Sequence, residues 1–128
     1  MDAARAQLER FMTSLDAGAR RLSPEEWGLE LEAGGLALEV GLSPRDGFLR
    51  AQAYVLPGGL LDPRQLLFWN RQTPLVCFAQ AGGGEVMVKG ELPLAAVDAE
   101  TLDTFLGLLV AAATRARELV LPVRPSAG

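Results

Sequence analysis

Few side chains in this sequence have the type and spacing that chemistry demands. Cys77 is the single thiol, and the chain contains no histidine. A nucleophilic cysteine needs a base or cation to hold its thiolate, and histidine is the commonest such base and the commonest metal ligand. Cys77 therefore reads as a buried, inert thiol within a strand. Glu30, Glu32 and Glu39 lie on what read as neighbouring strands, so Glu30 and Glu39 could form a carboxylate pair. Acid–base work also needs a pocket that sets two pKa values apart, and a polar strand face accounts for these residues more simply. Only an oxygen-preferring ion would suit them, and their spacing matches no such site. Gly82-Gly83-Gly84 has the composition of a phosphate loop, but the glycines join two strands and Glu85 follows, where a phosphate loop opens a helix and one common form continues Lys-Ser or Lys-Thr. No catalytic residue, metal site or cofactor is predicted, and the chain is read as non-enzymatic.

The bulk properties narrow the remaining classes. The 128 residues suit one domain, expected over 1–121 with a loose tail at 122–128. Apolar residues make up 49% of the chain, enough for a core. The net charge is −4, where a nucleic-acid binder would show a basic patch, so no nucleic-acid partner is expected. Arg20 with Arg21, and Arg115 with Arg117, are read as cations near helix ends, favoured there by the helix dipole. A lone cysteine fits a reducing cytoplasm. The longest apolar run, Leu106 to Ala113, is far shorter than the roughly 20 residues of a membrane span.

Periodicity supplies the elements. Leu8, Phe11, Met12 and Leu15 recur at helical spacing, and Gly18 is a plausible stop. Ser23-Pro24-Glu25-Glu26 reads as a turn. Trp27, Leu29, Leu31 and Ala33 alternate with polar or small residues. Gly34-Gly35 is a hairpin turn, and Leu36, Leu38, Val40 and Leu42 continue the alternation. Ser43-Pro44-Arg45-Asp46-Gly47 reads as a second turn, followed by Leu49, Ala51, Ala53 and Val55 against Arg50, Gln52 and Tyr54. Asp62-Pro63-Arg64-Gln65 starts a helix: Asp caps and Pro suits the first position. Leu75–Gln80 and Glu85–Leu92 form a second hairpin, and Asp98 caps a helix over about Ala99–Val120. The order is α-β-β-β-α-β-β-α, an α+β domain with helices packed on an antiparallel sheet.

This order, together with the residues LLFWNRQTP, LVCFAQAGGGEVMVKGELPL and VDAETLDTFLGLL between Leu66 and Leu109, resembles the YbjN family, labelled bacterial sensory transduction regulators, within the type III secretion chaperone-like fold. The resemblance implies a homodimer that binds unfolded or extended protein segments, with no catalytic residues.

Two candidate surfaces come from the residues. Leu66, Leu67, Phe68 and Trp69 are four successive apolar residues on one helix. Neighbours on a helix point about 100° apart, so they cannot all face one core. Leu66, Phe68 and Trp69 are read as a homodimer interface, the alternative being cover by the loop from Leu56 to Leu61. Arg50, Gln52 and Tyr54 share the mixed face of their strand and could meet an extended peptide or simply be solvated. Trp27 is read as core. The leading expectation is a protein-binding adaptor or regulator; the alternative is a small-molecule-binding regulatory domain.

Overall fold

In the computed structural model, which describes residues 2–14 and 19–120, the elements run α1 (Asp2–Ser14), β1 (Ala19–Ser23), β2 (Glu26–Ala33), β3 (Leu36–Arg45), β4 (Phe48–Leu56), α2 (Pro63–Asn70), β5 (Val76–Gln80), β6 (Val86–Pro93), a 3-10 turn (Leu94–Ala96) and α3 (Ala99–Val120). The six strands form one antiparallel sheet in the order β1-β2-β3-β4-β6-β5. The α+β class and the element order agree with the sequence reading, with one further strand, β1, ahead of the three expected between α1 and α2. Leu15, Gly18 and the tail from 122 lie outside the described residues.

The alternation in the strands makes the sheet two-faced. Leu29, Leu38, Val40, Leu49, Ala53 and Val88 are buried against the helices, whereas Glu30, Glu39, Gln52, Tyr54 and Lys89 are exposed on the other face. Helix α3 supplies Leu102, Phe105, Leu109, Ala113 and Ala116 to the core, and α1 supplies Leu8 and Met12. Helix α3 approaches the sheet closely at Gly90 of β6. A Cβ there would come within 2.7 Å of the Phe105 ring, so only glycine admits that ring at this depth.

Three local readings change. Arg20 and Arg21 lie in β1, not at a helix end. Edge strands often carry charge, and this one takes its conformation from pairing with β2 rather than from any alternation of its own. Pro44 belongs to β3 and not to a turn, and it pairs with Leu49. It lies beyond Leu42, the last β3 residue paired with β2, where a missing N–H breaks no ladder on that side. The turn itself is Asp46-Gly47, both at positive φ.

Arg117 is near the C-terminal end of α3 as read, but it does not serve the helix dipole. It is buried, and its guanidinium donates from Nε to the Val55 carbonyl at 3.1 Å and from one Nη to the carbonyls of Ala33 at 2.9 Å and Leu36 at 3.2 Å. Burial lowers its pKa from the usual arginine range. These bonds tie the β2–β3 hairpin and the end of β4 to α3. Arg117→Met should therefore lower stability by about 2–4 kcal/mol, because buried carbonyls lose their donors, and Arg117→Lys should recover only part of the loss. Urea denaturation midpoints measure both; a loss within about 0.5 kcal/mol, the size of an ordinary surface change, would remove this role.

At the other end of α3, Asp98 accepts from the Thr101 backbone N–H at 2.7 Å. That bond, with a second from the Thr101 side chain, lowers the Asp98 pKa below its ordinary value of 3.8. A depressed carboxylate pKa stabilises the fold above the unfolded-state value and loses that contribution as pH falls through the folded-state value. Asp98→Asn should thus flatten the acid limb of the stability–pH curve below about pH 4 and leave its shape near neutrality unchanged.

Candidate functional site

Helix α2 starts as the sequence indicates. Asp62 accepts from Arg64 N–H at 2.9 Å, and Pro63 occupies the first turn. Its four apolar residues divide two and two. Leu66 and Trp69 are buried in the chain's own core, while Leu67 is 64% exposed and Phe68 51% exposed. Two of the three expected interface residues, Leu66 and Trp69, thus pack inside the monomer. The cause is the neighbouring elements: the Trp69 ring lies 5.6 Å from the Phe78 ring of β5, and the Arg115 guanidinium of α3 sits over the Trp69 ring at 4.7 Å. That contact sets the phase of a two-turn helix. Leu67 then joins Phe68 on the outer surface, and Leu60 in the preceding loop is also exposed.

The last residue of α2 closes one edge of the sheet. Asn70 accepts from the Phe78 backbone N–H at 2.6 Å and donates to the Phe78 carbonyl at 3.0 Å. Phe78 is registered against Val88 on its inner side, so the carboxamide stands where a further strand would pair. At the opposite edge, β1 pairs with β2 alone, and among the described residues no backbone group bonds to its outer side. Arg20 of β1 reaches Glu39 at 3.1 Å, and Arg21 pairs with Glu9 of α1 and lies over the half-buried Trp27 ring.

The uncovered sheet face collects most of the remaining candidates. Arg50, Gln52 and Tyr54 stand together on it, with Arg50 half-buried and the other two exposed. Cys77 is also exposed there, contrary to its reading as a buried thiol: Val76 and Phe78 take the inward positions of β5, so the residue between them must face outward. Glu30 and Glu39 are direct cross-strand neighbours, with Glu39 paired to Arg20. Among the described residues no group of three His, Cys, Asp or Glu side chains converges as a metal site would. Gly82-Gly83-Gly84 lies in the β5–β6 hairpin, and no helix of the described residues is long and apolar enough to cross a membrane. Leu67 stands in the apolar run but not among the three interface residues expected from it, and nothing in the sequence singles out Asn70.

No family model matches the chain, and no curated protein matches it in sequence. Solved structures do. A chain of the HopA1–SchA chaperone–effector complex superimposes with a TM-score of 0.70 at 14% identity, over 89% of this chain and 92% of that one. One from the complex of the Yersinia pestis type III secretion chaperone SycH with a stable fragment of YscM2 gives 0.64 at 18% identity, over 88% and 98%. One from the ExsC–ExsE complex gives 0.66 at 20% identity, over 99% and 96%. The fold is that of the type III secretion chaperones.

Asn70→Ala should open the β5 edge. The Phe78 amide should then exchange with solvent faster by at least ~10-fold, with a stability loss of about 1–3 kcal/mol. Hydrogen exchange followed residue by residue checks this, and unchanged protection at Phe78 would show that the edge is held by something else.

Proposed function

We propose that this chain is a non-enzymatic protein-binding adaptor or regulator of chaperone type, acting as a homodimer in the cytoplasm. The observation that carries the reading is the type III secretion chaperone fold combined with two large apolar side chains, Leu67 and Phe68, left on the outer surface of α2. The compared structures include a chaperone–effector complex and a chaperone with a bound fragment, which supports a protein partner for this chain as well. The likeness of Leu66–Leu109 to the YbjN family supports a place near that family within the fold.

Two surfaces share the task in this reading. Self-association uses Leu67 and Phe68, since burying exposed aromatic and aliphatic groups is the main favourable term at an interface centre. An extended partner segment uses the outer edge of β1, whose backbone groups are free to add a strand, and the row Arg50, Gln52 and Tyr54.

Light scattering on Leu67→Ser/Phe68→Ser should give half the wild-type mass, and the thermal midpoint of the variant should not depend on protein concentration, whereas that of the wild type should rise with it. A wild-type protein that is already monomeric at high concentration would sink the dimer. For the partner, peptides selected by display against the wild-type chain should bind Tyr54→Ala at least ~10-fold more weakly, a change of about 1.4 kcal/mol. Equal binding by the variant would remove that face from the proposal.

A further inference from the structure

The uncovered face of the sheet holds a cavity of about 750 Å³ at the junction of β3, β4, β6 and β5, with Asn70 and Thr73 at its rim. Strand register lays out its floor. Gly41 is paired with Gln52, Gln52 with Lys89, and Lys89 with Cys77, so the four stand in one row across four strands. Gly41 makes the depression: a Cβ there would meet nothing nearer than the Gln52 carbonyl at 3.9 Å. Arg50 stands in the next row, between Ser43 and Glu91.

The charge around this cavity runs against that of the chain. Arg45, Arg50 and Lys89 line it against Glu26 and Glu91, an excess of one positive charge in a chain whose net charge is −4. Lys89 is the chain's single lysine, and no ion pair involves it among the described residues. Arg50 Nε is buried without a hydrogen-bond partner. Its nearest carboxylate, Glu91 at 3.8 Å, is too far to accept from it, and Asp46 stands 3.9 Å from an Nη of the same guanidinium. The Arg50 side chain as a whole is 43% exposed and lines the cavity, so the guanidinium is open to a ligand there.

The geometry points to a binding site for a small aliphatic carboxylic acid, with its carboxylate held by Arg50 and Lys89. The planar guanidinium fork matches a planar carboxylate, and Lys89 adds a second charge from the adjoining strand. Glu91 and Asp46 flank Arg50, so a dianion such as phosphate is repelled more strongly than a monoanion. Leu75 and Ala79 give the cavity an apolar wall for a short hydrocarbon body, and its volume falls in the range of small-ligand pockets. The site is separate from the outer surface of α2 and from the β1 edge, but it shares Arg50 and Gln52 with the row proposed to meet an extended partner segment.

The test is a titration of the isotope-labelled full chain with hexanoate, followed by backbone amide shifts. Hexanoate should give saturable shifts at Gln52, Lys89 and Cys77, whereas hexylamine should give none and phosphate weaker ones. Arg50→Gln and Lys89→Gln should each weaken hexanoate by at least ~10-fold. Gly41→Val, which fills the floor without touching a charge, should abolish the shifts, so the site can be tested even if a charge variant unfolds. No saturable shift with hexanoate, equal shifts with hexylamine, or unchanged affinity in folded Arg50→Gln would overturn the assignment. So would a capped glutamate-containing peptide binding more than ~10-fold tighter than hexanoate, since the carboxylate would then belong to a bound chain.

Discussion

The Phe105 ring rests on the backbone of Gly90, closer than any side chain at that position would allow. This contact draws α3 down onto β6, next to the centre of the sheet, and with it the row Leu102, Phe105, Leu109 and Ala113 that fills the core. Further along the helix, Arg117 reaches across to the β2–β3 hairpin and to the end of β4. A ring in a glycine notch and a buried guanidinium on strand carbonyls thus hold one helix across most of the sheet. With α3 and the core on one face, the opposite face is left to water, and its residues are free to serve a ligand or partner.

The two edges of the sheet are treated differently, and the difference comes from one side chain. Asn70 occupies both backbone groups of Phe78, so β5 ends the sheet without presenting a free ladder. At β1 the side chains are engaged, Arg20 with Glu39 and Arg21 with Glu9, but among the described residues nothing bonds to the outer backbone. Charged side chains on an edge discourage pairing with arbitrary chains while leaving the edge open to a segment that complements them.

The alternating strands and capped helices were legible because each carries its own signal. Leu29 to Val55 reads off period two, and Asp62-Pro63 and Asp98 read off capping chemistry. What was not legible depends on a neighbour. Strand β1, Ala-Arg-Arg-Leu-Ser, has no apolar alternation and exists by pairing with β2. Some of Leu66–Trp69 do face outward, as four successive apolar residues on a helix require, but the phase of the helix is set by Phe78 and Arg115, which lie 9 and 46 positions beyond Trp69 in the numbering. Cys77 reads as buried from its residue type alone, whereas its place between the inward-facing Val76 and Phe78 turns it outward. Arg117 looked like a helix-end cation because nothing in the sequence announces the carbonyls it meets.

Asn70 connects the surfaces that remain. Its carboxamide closes the β5 edge, it ends the helix that carries Leu67 and Phe68, and it stands on the rim of the cavity. A helix of two turns has little internal cooperativity, so its position is decided by what holds its ends. The N-terminal end is held by Asp62 and the C-terminal end by Asn70 on Phe78. A molecule seated in the cavity meets that second anchor from the side of the open face. It alters association through α2 only to the extent that it binds one position of Asn70 better than another. If the Asn70–Phe78 pair is unchanged on binding, the two surfaces act independently; if the pair yields, the helix that presents Phe68 yields with it.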